Sequence, residues 1–166
     1  MSGADSTALL PAIVITVTSV VVLILMSIKR NHFTALFFTV MGIVVALLTL
    51  TVTDNVSPHQ VYSLLIMDTY AMFFIGLILF TSLGVAFLAY SYLKIRREHR
   101  EEFYVVLLTA VLGSIILVMA DHFMTFFLGL ELLTVSLYIM IAYLRSSSWG
   151  LEAGLKYLIL AAASSA

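Results

Sequence analysis

Apolar residues fall along this chain in long blocks, and the polar residues collect in short interruptions between them. A helix that crosses the hydrocarbon of a bilayer needs about 20 mainly apolar residues. Blocks of that length cover residues 8–28, 33–53, 70–93, 103–120 and 123–144, and a shorter one covers 151–166. The pattern predicts an all-α, polytopic transmembrane helix bundle with five complete spans and a truncated sixth, forming a single membrane domain over residues 1–166. Nothing basic precedes the first block, whose apolar stretch exceeds a signal-peptide core, so it reads as a retained span. The last block stops with no cap or polar flank, and the expectation is an incomplete amino-terminal portion of a longer chain.

The interruptions set the orientation. With the amino-terminus outside, Lys29, Arg30, Lys94, Arg96, Arg97, Arg100 and Arg145 all lie in cytoplasmic connections, as the positive-inside bias requires. The outer loop DNVSPHQVYSLLIMD (54–68) has an apolar middle that suits the interface or a short paired strand, and Asp68 is placed to cap the third helix. The inner loop KIRREHREEF is a solvated charge run, with Glu101 and Glu102 suiting a helix start. Asp121 and His122 read as a tight polar turn.

Composition agrees and excludes other classes. At 63% hydrophobic and 10% charged, with mean hydropathy +1.15, the chain has more apolar surface than a soluble core could hide. A net charge of −1 gives no reason to expect a nucleic acid partner. With no cysteine there is no disulfide, thiolate nucleophile or iron–sulfur ligand. His32, His59, His99 and His122 sit in loops or at helix ends, which argues against a b-type haem. There is no phosphate-cradling glycine loop and no zinc-ligand spacing. No cofactor is expected in this chain.

What remains is three ionisable residues inside apolar runs: Glu131, Glu152 and Lys156. Such residues are costly in a membrane, normally face a water-filled cavity or a partner, and mark proton relays. At 100° per residue, Met124, Phe127, Glu131, Thr134, Tyr138 and Arg145 form one stripe of the fifth run. On the sixth, Trp149, Glu152, Lys156 and Ala163 form a polar stripe, with Gly150 and Gly154 on the opposite, close-packing face. Glu152 and Lys156 have the favourable i, i+4 order, as a helix-stabilising ion pair or as part of a relay. Glu131 lies roughly 21 Å from the cytoplasmic end, and some 12 Å of depth separates it from Lys156, so Tyr138, Thr134 or water would have to bridge them. The reading is a proton-carrying carboxylate at Glu131, with an architectural acid bonded to a neighbouring helix as the alternative.

FLGLELLTVSLY (127–138) followed by LEAGLKYLILAAASSA (151–166) resembles the antiporter-like membrane subunits of NADH-quinone oxidoreductase, respiratory complex I, above all the first half of subunit N; it is more distantly similar to subunits of multisubunit cation/proton antiporters. EEFYVVLL (101–108), MDTYAMFFIGL (67–77) and KRNHF (29–33) extend the similarity over nearly the whole chain. The resemblance implies a fourteen-helix subunit of two inverted five-helix repeats, in which a fifth-helix glutamate, matched by Glu131, works with a lysine on a broken seventh helix. Lys156 matches the family's sixth-helix lysine, and the seventh helix and second repeat lie beyond this sequence. It further implies a proton-translocating subunit without a redox centre, in the inner (cell) membrane. Its expected partners are other membrane subunits of complex I, the lipid bilayer and protons. The alternatives are a cation/proton antiporter subunit and a truncated, non-conducting structural subunit.

Overall fold

The computed structural model describes residues 3–28, 30–53, 58–96, 101–143 and 148–165. In chain order the elements are α1 (Gly3–Ala8), α2 (Leu10–Ile28), α3 (His32–Thr53), β1 (His59–Val61), β2 (Leu65–Met67), α4 (Thr69–Arg96), α5 (Glu102–Met119), α6 (Phe123–Ile141) and α7 (Ser148–Ser165). Helices α2 to α6 are each long and apolar enough to cross a membrane. The architecture is an all-α polytopic membrane bundle with one small hairpin.

The helix bounds shift from the sequence expectation by a few residues, for local reasons. The first span begins with a separate turn of helix, α1, because Pro11 has no N–H to give to the carbonyl of Thr7; the hydroxyl of Thr53, from α3, reaches that carbonyl instead at 3.4 Å. Helix α4 starts where expected: Asp68 Oδ1 accepts the backbone N–H of Ala71 at 2.7 Å, satisfying one of the orphan donors of a helix start. Helix α6 starts at a similar device, with His122 Nδ1 accepting the N–H of Met124 at 3.2 Å. It ends at Ile141 rather than at 144.

Of the two expectations for VYSLLIM, strand pairing is the one realised. Strands β1 and β2 pair antiparallel, His59 opposite Met67 and Val61 opposite Leu65. The turn residues Tyr62 (φ 51°) and Ser63 (φ 53°) are left-handed, the geometry that matches the twist of a tight hairpin. The hairpin is tied to the α5–α6 turn by a bridge between Leu65 and Ala120, the N–H of Asp121 to the carbonyl of Leu64 at 3.0 Å, and Gln60 Nε2 to Asp121 Oδ2 at 3.2 Å. His59 Nε2 meets Asp5 Oδ1 at 2.9 Å, so α1 belongs to the same end.

Helix α5 is the hub, packed by α2, α4 and α6 and touched by α3. The core accordingly runs through Ile15, Ile43, Ile75, Leu79, Leu108, Val111 and Ile115, all buried. Large apolar side chains such as Phe73, Phe80, Leu88 and Leu128 stay exposed, as expected of a surface solvated by lipid. Helix α6 approaches α5 so closely that a Cβ on Gly129 would stand 2.8 Å from Leu117 N, and one on Gly113 2.7 Å from Leu133 N. Small residues that let helix backbones touch are the usual means of association in a bilayer.

At the opposite end from the hairpin, Arg30 lies near Glu102, His32 stacks on Tyr90, and the phenol oxygen of Tyr143 accepts the N–H of Phe103 at 2.9 Å. The α2–α3, α4–α5 and α6–α7 connections therefore share one end, which carries Arg30 and Lys94. Of the residues named from the sequence, Lys29, Arg97, Arg100 and Arg145 of the orientation argument, Asp54 of the outer loop and His99 of the haem argument lie outside the described residues.

Candidate functional site

The site is built on α6, whose orientation is fixed by the glycine crossing. Gly129 is buried against α5, and Ser136 on the same helix meets the Thr109 hydroxyl of α5 at 3.2 Å. Glu131 is about 160° around the helix from Gly129, so its half-buried side chain points away from α5. Among the described residues no side chain hydrogen-bonds to its carboxylate. Thr134 keeps its hydroxyl on its own helix, donating to the carbonyls of Leu130 at 3.0 Å and Glu131 at 3.1 Å.

Eleven residues beyond Glu131, about 20° away around the axis, Ala142 receives α7. A Cβ on Gly154 would lie 2.6 Å from the Ala142 Cβ, so the buried Gly154 is where α7 touches α6, as its small-residue face predicts. Helix α7 thus packs on the side of α6 that bears Glu131 and Tyr138. Glu152 and Lys156 are each two residues from Gly154 and so about 160° around α7 from it. They face away from α6. Their side chains are 55% and 69% exposed and pair with each other, Lys156 Nζ to Glu152 Oε1 at 2.6 Å.

The structure therefore brings Glu152 and Lys156 together and keeps both apart from Glu131. Counting along the two antiparallel helices from the Ala142–Gly154 contact, Glu131 and Lys156 differ in depth by roughly 13 Å, and they lie on opposite sides of the α6–α7 seam. Any exchange between them runs through other groups.

One such group is Tyr138. It lines a cleft of about 790 Å³ between α5, α6 and α7, with Glu102, Tyr143, Val106, Leu155 and Leu158 among the other walls. Glu102 and Tyr143 form its walls at the basic end, and Glu102, Tyr138 and Tyr143 are the lining residues with polar side chains. Glu102 was legible in the sequence only as a charge suited to a helix start; its place on the cleft that Tyr138 also lines depends on how α5 and α6 cross. Its carboxylate also lies 3.8 Å from Arg30 Nη2. Among the described residues no cluster of three or more His, Asp or Glu side chains could hold a metal ion.

Two comparisons bear on this arrangement. Residues 120–166, the segment with Glu131, Tyr138, Glu152 and Lys156, match the family described as NADH:quinone oxidoreductase/Mrp antiporter, transmembrane. The fold is similar to a chain of respiratory complex I from Thermus thermophilus, in a structure with aureothin bound, with a TM-score of 0.79 and 27% identity over 93% of this chain. This chain spans 34% of that one. The likeness to a complex I antiporter-like membrane subunit stands on sequence and fold together. The protein is a multi-pass membrane protein.

Proposed function

We propose, starting from that likeness, that this chain works in a proton-translocating membrane subunit of an NADH:quinone oxidoreductase, with Glu131 as the intramembrane group that takes up and releases the proton. The observation that carries the reading is a coincidence of position: the segment matched by the family holds each of the three ionisable residues that the sequence places inside apolar runs. A carboxylate half-buried at mid-span and turned away from its supporting helix suits a group that must exchange protons with water. Helix α5 supplies the rigid backing, and α7 flanks the carboxylate's side of α6.

In this reading the chain contributes no redox chemistry and holds no cofactor; NADH and quinone react on other subunits, and this one is driven by them. The subunit in this reading is N, which the motif over residues 127–138 resembles, the basic end faces the cytoplasm, and the amino-terminus lies outside the inner membrane. Tyr138 and Thr134 line the way to Glu131, and Lys156 with Glu152 acts on the far face of α7. The family's description also names Mrp antiporters, so the second reading is a cation/proton antiporter subunit with no dehydrogenase attached.

The test is Glu131→Gln, which keeps size and hydrogen bonding but cannot titrate. Assembly and NADH oxidation with an artificial acceptor should persist while quinone-coupled proton pumping falls sharply, and Glu131→Asp should retain part of it. Pumping by the Gln variant at the unmodified rate would make Glu131 an architectural acid. Proton movement driven by a cation gradient, with no co-purifying flavin or iron–sulfur protein, would favour the antiporter.

A further inference from the structure

We infer that Glu102 is the proton-loading carboxylate of this subunit, feeding the cleft between α5, α6 and α7 from which Tyr138 passes protons toward Glu131. The inference rests on the proton-translocating reading and adds the point of entry. Glu102 and Val106 line two openings at once: the cleft that contains Tyr138, and a groove on the other side formed with Leu23, Met26, Ser27 and Arg30. Glu102 therefore stands between the surface at the α2–α3 turn and the interior space.

Its surroundings suit that task. The side chain is 43% exposed, so it meets bulk water. Arg30 at 3.8 Å offers a cation beyond tight contact distance, a partner that holds the carboxylate in place and leaves its oxygens accessible. Waters that enter a mostly apolar cleft need polar anchors. The lining residues with polar side chains are Glu102 and Tyr143 at the basic end and Tyr138 about 7 Å further along α6. A proton bound at the Glu102 carboxylate leaves it for a water in the cleft. Tyr138 accepts a proton at its oxygen as it donates its own, so the phenol is unchanged after each transfer. From Tyr138 to Glu131 is two helix turns, about 10 Å on the same stripe, a span that a short file of water covers.

Two measurements in the assembled complex test this. The first is access. The chain has no cysteine, so a thiol label introduced here is read on the mass of this subunit alone. Ile139→Cys and Leu155→Cys, inside the cleft, should react with a small water-soluble methanethiosulfonate at rates close to that of Asn31→Cys, which is exposed at the basic end. Phe80→Cys, on the exposed apolar face of α4, should not react. Cleft cysteines as silent as Phe80→Cys mean a space filled by lipid, and overturn the inference.

The second measurement is pumping. Glu102→Gln should lower coupled proton pumping by about tenfold, less than the roughly 10²–10⁴ of a positioned proton-transfer group because water at the mouth substitutes in part; Glu102→Asp should recover much of it. Arg30→Gln, which breaks the same ion pair, should lose less, and equal losses would show that the pair only holds helices together. If Glu102→Gln does not assemble, the cysteine rates and Glu102→Asp decide. Glu131→Gln is run beside these variants: normal pumping there refutes the underlying function, whereas its loss together with unmodified pumping by Glu102→Gln refutes the entry point alone.

Discussion

Adding one methyl group at the α5–α6 crossing should push apart the helices that carry the site. In Gly129→Ala the new Cβ lies 2.8 Å from Leu117 N and 3.0 Å from Leu117 Cα, and in Gly113→Ala 2.7 Å from Leu133 N. Ordinary contact begins at 3.4 Å, so the two helices must part by 0.6 to 0.7 Å. The atoms struck are backbone and cannot swing aside. Overpacking of this kind costs about 1–3 kcal/mol. Gly84 supplies the control, since a Cβ there meets nothing within 4 Å. Gly84→Ala should be neutral or stabilising by up to about 1 kcal/mol through helix propensity. The difference between the control and either crossing variant is therefore on the order of 2 kcal/mol or more, over tenfold in the unfolding equilibrium. The assay is unfolding of the purified protein in mixed micelles titrated with SDS, followed by far-UV circular dichroism. Because α6 carries Glu131 and Tyr138, pumping by assembled complexes should fall with Gly129→Ala and not with Gly84→Ala. Gly129→Ala as stable as Gly84→Ala would refute the close crossing and the orientation of Glu131 derived from it.

Three further outcomes are expected. Asp68→Ala removes the acceptor for the Ala71 N–H and should destabilise by about 1 kcal/mol, a fall in Tm of roughly 2–4 °C for a domain of this size, with Asp68→Asn recovering most of it. Lys156→Met should impair pumping in the complex more than Glu152→Gln; if both variants pump normally, the pair is a helix stabiliser. Cysteines at Ser63 in the hairpin and Asn31 at the basic end should label from opposite sides with an impermeant reagent in intact cells, and labelling at Asn31 alone would reverse the orientation.

The spans were legible because a bilayer forces each one to be continuous and apolar, so five blocks of sequence became five helices with ends moved by a few residues. The cap at Asp68 and the packing role of Gly154 were legible because they are local, whereas His122 read only as part of a turn and its capping of α6 came from the structure. The site was legible as a set of residues and not as an arrangement. Glu131 stood out as a lone carboxylate, yet nothing in the fifth run says which side of it meets another helix. That follows from Gly129 meeting Gly113, sixteen positions away on α5. Glu102 shows the same limit: its chemistry is written in the sequence, but its place between Arg30 and Tyr138 arises from three helix crossings with no periodic trace. His32 is another case, reading as a helix-end residue while its ring lies flat on Tyr90, 58 positions later, at 4.6 Å between ring centres.

The hairpin has a mechanical consequence. It grips the start of α6 through Ala120 and Asp121, and the glycine crossing grips the same helix about half a turn before and after Glu131. A rod held at one end and at its middle can neither slide nor roll. Glu131 is thereby a fixed station. If the protein gates proton flow, the moving parts are the waters, the cleft side chains and α7, whose described hold on α6 centres on Gly154 at the far end from the hairpin. A gate of that kind works by changing what surrounds a stationary carboxylate, as a valve seat stays still while the stem moves.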